Sequence, residues 1–191
     1  MAVAFTVTVF CGSQGGARPA YREAAAALGA GVARLGYRLV FGGGHVGLMG
    51  ALADAALAAG GVVIGVIPEF LEKAEVAHEG LAELVVTPSM HARKKLMFDL
   101  ADAFVALPGG LGTLDETVEV LTWRQLRLHR KPLLLCDVAG SAAPLVALIE
   151  RLIAEGFTKE EAREYFECQP GVEATLGRLQ AFAAAGRGQG G

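Results

Sequence analysis

The chain has 191 residues, 53% of them hydrophobic, with 17 Lys and Arg against 20 Asp and Glu. That length suits one domain with a full core. The net charge of −3 gives no electrostatic reason to expect nucleic acid as a partner, and no window holds the roughly 18 uninterrupted apolar residues of a membrane span.

Hydrophobic periodicity orders the elements along the chain. The start, "MAVAFTVTVFCGS", has no basic region and runs straight into a strand pattern, so no signal peptide is read and a cytoplasmic location is expected. Strands are expected at "FTVTVF" (5–10), "YRLVF" (37–41), "VVIGVIP" (62–68), "LVV" (84–86), "AFVALP" (103–108) and "LLLCD" (133–137). Helical spacing lies between and after them, over Pro19–Leu35, Gly47–Ala59, Ser89–Ala101, Thr113–Arg130, Pro144–Glu155 and Val172–Ala184. Such alternation predicts an α/β fold, a parallel sheet covered by helices on both faces. One domain is expected over residues 1–185, with 186–191 as a flexible tail. Cys11, Cys136 and Cys168 form an odd set with no CxxC and no histidine at ligand spacing. Reduced, buried thiols are expected, without a disulfide framework or a metal site.

Ligands of open α/β sheets bind beyond the carboxyl ends of the strands. Three glycine-rich stretches fall there: "CGSQGG" after the first strand, "GGGHVGLMG" after the second and "PGGLGT" after "AFVAL". Gly42, Gly44 and Gly47 spell GxGxxG, but the dinucleotide fingerprint belongs after the first strand. Its acidic residue about 20 positions on is also missing here. No GKS or GKT is present, which excludes a Walker A loop. The second stretch reads better as a backbone cradle for a phosphate or ribose, involving Gly43 and Gly44, with tight helix–sheet packing as the plainer alternative. Gly12 and Ser13 of the first stretch are further candidates for substrate contact. In "PGGLGT", Gly109 and Gly110 are expected to turn with positive φ, and a helix starting near Thr113 aims its positive end at the same place.

Two readings of Glu116 stay open at this level. "TLDE" is a capping box in which Glu116 would close on the Thr113 N–H; alternatively, the carboxylate belongs to a site. In "SMHARKKLMFDL", with Ser89 as N-cap, Arg93, Lys94 and Lys95 crowd a helix start, where cations oppose the macrodipole. An anionic partner is expected to compensate them, although Lys95 can pair with Asp99 one turn on.

At these residues the sequence resembles the LOG ("lonely guy") family of cytokinin riboside 5′-monophosphate phosphoribohydrolases, many of which were once labelled lysine decarboxylases. The resemblance runs from "CGSQGG" through "FGGGHVGLMG", "GVIPEFL" and "MHARKKLM" to "DAFVALPGGLGTLDETVEVLTWRQLRLHRKPLLL", and the pairing of MHxRK with PGGxGTxxE is its most specific part. It implies a Rossmann-like domain, usually a homodimer, that cleaves an adenine-type nucleoside monophosphate to free base and ribose 5-phosphate. Carried over by position, Arg93 and Glu116 match the catalytic pair. Glu75, Lys94, Gly110, Leu111, Gly112, Thr113 and Thr122 match substrate-contacting positions. "LEKAEVAHEGLAEL" around Glu75 departs from the family's usual TGE, and Lys95 stands where a small residue is common, which leaves the base or sugar preference open.

Cleaving an N-ribosidic bond builds positive charge on the ribose, and a carboxylate near the anomeric carbon stabilises it. Glu116 is expected to do this, with Arg93 holding the phosphate or Glu116 in register and no metal or redox cofactor required. A nucleotide-binding module without turnover is the alternative. A pyridoxal decarboxylase ranks last, because no setting for a Schiff-base lysine is recognisable. Trp123 reads as core or as a subunit contact, His45 as a ligand or solvent contact, and His91 as support for its loop; His78 and His129 show no convincing partners.

Overall fold

The alternation is realised as seven parallel strands in one sheet. The computed structural model describes residues 5–72, 78 and 80–187. The strands are β1 (Thr6–Phe10), β2 (Arg38–Phe41), β3 (Val62–Pro68), β4 (Glu83–Thr87), β5 (Ala103–Ala106), β6 (Leu133–Cys136) and β7 (Glu167–Gln169), in spatial order β4-β3-β2-β1-β5-β6-β7. The helices are α1 (Pro19–Arg34), α2 (Gly47–Ala58), the single turn α3 (Glu69–Glu72), α4 (Met90–Leu100), α5 (Leu111–Gln125), α6 (Ala143–Ala154) and α7 (Val172–Arg187). None among the described residues is long and apolar enough to cross a membrane.

Strand side chains alternate between two cores. Val7, Val9, Leu39, Phe41, Val105 and Leu134 pack with α1, α2 and α7, whereas Phe10, Val40, Phe104, Leu133 and Leu135 pack with α4, α5 and α6. Each fully buried Leu, Val or Phe contributes about 1.5–3 kcal/mol, so both layers of helices are held by the period-2 pattern itself. The buried Thr8 hydroxyl donates to the Met97 carbonyl of α4 at 3.0 Å and the Thr6 hydroxyl accepts from Arg38 Nε–H at 3.1 Å, so both polar side chains that β1 turns to that face are satisfied.

All six expected strands and six expected helices are present, with three differences. β7, the single turn α3 and the short 3₁₀ turn Glu160–Glu164 were not expected. "ECQ" carries no apolar run, and it becomes a strand only through its pairing with β6. Helix α5 starts at Leu111, two residues early, and stops at Gln125 rather than Arg130. The stop is a Schellman closure: Leu128 N–H donates to the Trp123 carbonyl and Arg127 N–H to that of Arg124, with Arg127 at φ 60°. A glycine usually marks that position, and with arginine there the stop carries no local signal. Finally, Cys168 is exposed on the edge strand β7, unlike the buried Cys11 and Cys136, and all three are free thiols.

Candidate active site

The sheet order reverses between β1 and β5, which are neighbours although β2, β3 and β4 lie between them in sequence. At that switch point the strand ends diverge and leave a crevice. Leu107 N–H donates to the Phe10 carbonyl at 2.9 Å and Gly12 N–H to the Pro108 carbonyl at 3.1 Å, so the first and third glycine loops leave the sheet laced together. Leu48 N–H reaches the Gly12 carbonyl at 3.0 Å and ties in the start of α2. Between these loops and α4 lies a cavity of about 190 Å³.

Its charged wall is a seam between α4 and α5. Ser89 caps α4 as expected, its hydroxyl accepting from Ala92 N–H at 3.2 Å. Lys94 Nζ then sits 3.0 Å from Asp115 Oδ2 and 3.2 Å from Glu119 Oε1, two acids that four-residue spacing puts on one face of α5. Burial alone would lower the Lys94 pKa, but these two hydrogen bonds outweigh it and hold the ammonium above its usual range. Arg93 Nη2 lies 3.6 Å from Glu116 Oε1, with 7% and 11% of the two side chains exposed. The guanidinium also donates to the Gly42 carbonyl at 3.4 Å and to Met90 Sδ at 3.5 Å, while among the described residues its buried Nε has no partner. Lys95 pairs with Asp99 at 2.6 Å on the surface. The anionic compensation expected for the basic cluster is thus supplied by the chain's own acids.

The early start of α5 removes the capping-box reading of Glu116. Gly110 is the N-cap and offers no side chain, so Glu116 stands in the second turn and no capping box forms. The first turn holds no acid and no side-chain cap, which leaves its N–H groups and the positive helix end facing the cavity. Gly109 and Gly110 do not turn with positive φ as expected; Gly110 is extended at φ −93°. An added Cβ at Gly110 or Gly112 would meet nothing within 4 Å, so their bareness leaves open space toward the cavity.

Of the expected residues, Gly12, Ser13, Arg93, Lys94, Gly110, Leu111, Gly112, Thr113 and Glu116 line this one cavity. Gly43 and Gly44 are buried and do not line it, so the packing alternative describes them better. Thr122 faces a separate apolar groove between α5 and α6, because six residues on a helix rotate it well away from Glu116. Glu75 lies outside the described residues. Cys11, Met49, Met90 and Asp115 complete the lining without having been expected. Met90 and Asp115 stand inside the basic and glycine motifs, whereas Cys11 and Met49 read as core by spacing. Burial first, then the Glu116 charge, pushes the Cys11 thiol far up against the pull of Arg93, so it stays protonated and is no nucleophile.

Two histidines correct the sequence reading. His78 is buried with Nε2 2.9 Å from Asp54 Oδ1, and His129 Nε2 lies 2.9 Å from the Val120 carbonyl while its Nδ1 accepts from Lys131 N–H. The partners come from other elements, which spacing does not show. Trp123 meets Phe98 edge-on at 4.6 Å, and His91 is exposed at the start of α4.

Comparison with known proteins follows the same outline. A family model described as a possible lysine decarboxylase matches residues 49–179. The chain is 51% identical over 159 residues to a cytokinin riboside 5′-monophosphate phosphoribohydrolase of Rhodococcoides fascians, covering 83% of this chain and 80% of the relative. It is 42% identical to an Arabidopsis thaliana enzyme of that name, covering 92% and 81%. In structure it is similar to the molybdenum cofactor binding protein of Rippkaea orientalis (TM-score 0.73, 22% identity, covering 96% of this chain and 99% of that one), a likeness of fold. By these relatives and the matched model, the chain belongs to the LOG family, that of the cytokinin riboside 5′-monophosphate phosphoribohydrolases.

Proposed function

We propose that the chain hydrolyses the N-ribosidic bond of adenine-type nucleoside 5′-monophosphates, cytokinin riboside monophosphates or AMP, to free base and ribose 5-phosphate. The observation that carries this reading is the buried Arg93–Glu116 pair, which shares a cavity with the uncapped start of α5. The N–H groups of Leu111 to Thr113 take the 5′-phosphate. Glu116 then stabilises the positive charge that grows on the ribose as the base leaves, and orients or deprotonates the attacking water. Arg93 fixes that carboxylate from behind through a planar fork that lysine does not reproduce. Lys94, bound to two acids and held protonated, steadies the wall. It is the one described lysine that lines the cavity, and its charged state makes it a poor Schiff-base former, which argues against the decarboxylase description.

The exposed apolar residues Val118 of α5 and Leu148 and Leu152 of α6 surround the groove that holds Thr122. We assign this surface to a second copy in a homodimer, and Thr122 reaches substrate only across it. The three free thiols fit a reducing, cytoplasmic location.

The experiment is a chromatographic assay of free base against a panel of nucleosides and their 5′-monophosphates. Monophosphates should be cleaved in preference to nucleosides. Glu116→Gln should keep its circular dichroism and melting temperature and lose about 10²–10⁴-fold in kcat. Stoichiometric AMP binding without base release would make the chain a binding module, and a Glu116→Gln variant that kept most of its turnover would remove Glu116 from the mechanism.

A further inference from the structure

A second cluster of chemically capable side chains lies outside the cavity. His45 in the second glycine loop, Asp54 on α2 and His78 ahead of β4 each offer one ligand atom, and these atoms lie within 4.8 Å of one another. His78 is only 6% exposed, and its backbone N–H donates to the Gly43 carbonyl at 3.0 Å. Its Nε2 is 2.9 Å from Asp54 Oδ1, and the His45 ring stands 4.6 Å away, centroid to centroid. Among the described residues the other nitrogen of His78, Nδ1, is buried with no hydrogen-bond partner.

We propose that His45, Asp54 and His78 form a site for one divalent transition metal ion of the zinc type. Two imidazoles and one carboxylate are a donor set for zinc, cobalt or nickel, and they supply too few oxygens for calcium or magnesium. Donors about 2.0–2.1 Å from a tetrahedral ion are spaced by about 3.3 Å. The Nε2–Oδ1 edge of 2.9 Å is already near that value, and His45, exposed in its loop, closes the remaining distance by rotation about its side-chain torsions. Water takes the fourth position from the open side, where His45 and Asp54 are both exposed. The ion acts as a clip between the glycine loop with α2 and the segment that enters β4. Its contribution is therefore to stability rather than to the reaction.

The test uses the full-length, untagged protein. Titration with Co²⁺ should give visible d–d absorption that saturates at one equivalent, and one equivalent of Zn²⁺ should raise the melting temperature. His45→Asn leaves the Asp54–His78 contact intact. It should leave the metal-free melting temperature unchanged and weaken Co²⁺ binding about tenfold or more. Co²⁺ binding that does not saturate, equal affinity in His45→Asn, or the thiolate charge-transfer band of cysteine ligation would each overturn the proposal.

Discussion

The two glycine loops that flank the cavity share a composition and use it in opposite directions. In "PGGLGT" two of the three missing side chains face outward: a Cβ at Gly110 or Gly112 would touch nothing, whereas one at Gly109 would come 2.1 Å from Thr113 Oγ1, and the bare backbone at the start of α5 borders the cavity. In "GGGHVG" they face inward. A Cβ at Gly42 would come within 2.2 Å of Arg93 Nη2, and Gly47, at φ 64°, would place one 2.3 Å from the Ser13 carbonyl oxygen. The GGGHVG loop makes room for the Arg93 guanidinium and for close chain packing, while the PGGLGT loop leaves space beside the cavity. A glycine motif therefore announces that backbone must come close to something, without saying whether that something is ligand or protein.

Substitutions that add one methyl group separate the two roles. The largest effect is expected from Gly42→Ala, which pushes the guanidinium out of register with Glu116. A displacement of that order should lower kcat about 10²-fold with KM little changed. If kcat stayed at the wild-type value, the inward role of this loop would be decided by folding alone. Gly112→Ala should act the other way, raising KM for nucleotides about tenfold by crowding the phosphate site. Its melting temperature should hold or rise, since alanine suits a helix better than glycine; an unchanged KM would mean the phosphate binds elsewhere.

The smallest effect, and a control remote from both loops, is Glu167→Gln. Arg178 Nε and Nη2 hold Glu167 at 2.6 and 2.7 Å, and this pairing outweighs burial to keep the carboxyl below its usual range. A depressed folded-state pKa gives stability that is present above the unfolded value of about 4.3 and is lost as pH falls through the folded one. The pair is partly exposed and screened, so the variant should lose about 0.5–1 kcal/mol at pH 7, converge on wild type in strong acid, and retain full activity. Urea titrations at the two pH values measure this difference.

Much of the fold could be read directly, because period-2 and period-3.6 patterns follow from backbone geometry that each segment carries by itself. The glycine loops at strand ends and the basic and acidic motifs were visible for the same reason. Glu116 was ambiguous because its role depended on whether α5 began at Leu111 or Thr113, and an uncapped start at Gly110 leaves no mark in sequence. β7 was hidden because a three-residue edge strand exists only by pairing with β6. The partners of His78 lie 9 and 24 positions apart along the chain, as His45 to Asp54 and Asp54 to His78, which is no recognisable spacing.

By itself, then, the sequence determined which segments are strands and helices and which loops are bare enough to approach an anion, since those properties are local. Only the tertiary structure decided which glycines line the cavity, that Arg93 and Lys94 answer to Glu116, Asp115 and Glu119, and that Thr122 points away from them. The physical reason is that charge pairing and cavity lining depend on distances between elements, and the order of strands across the sheet sets those distances.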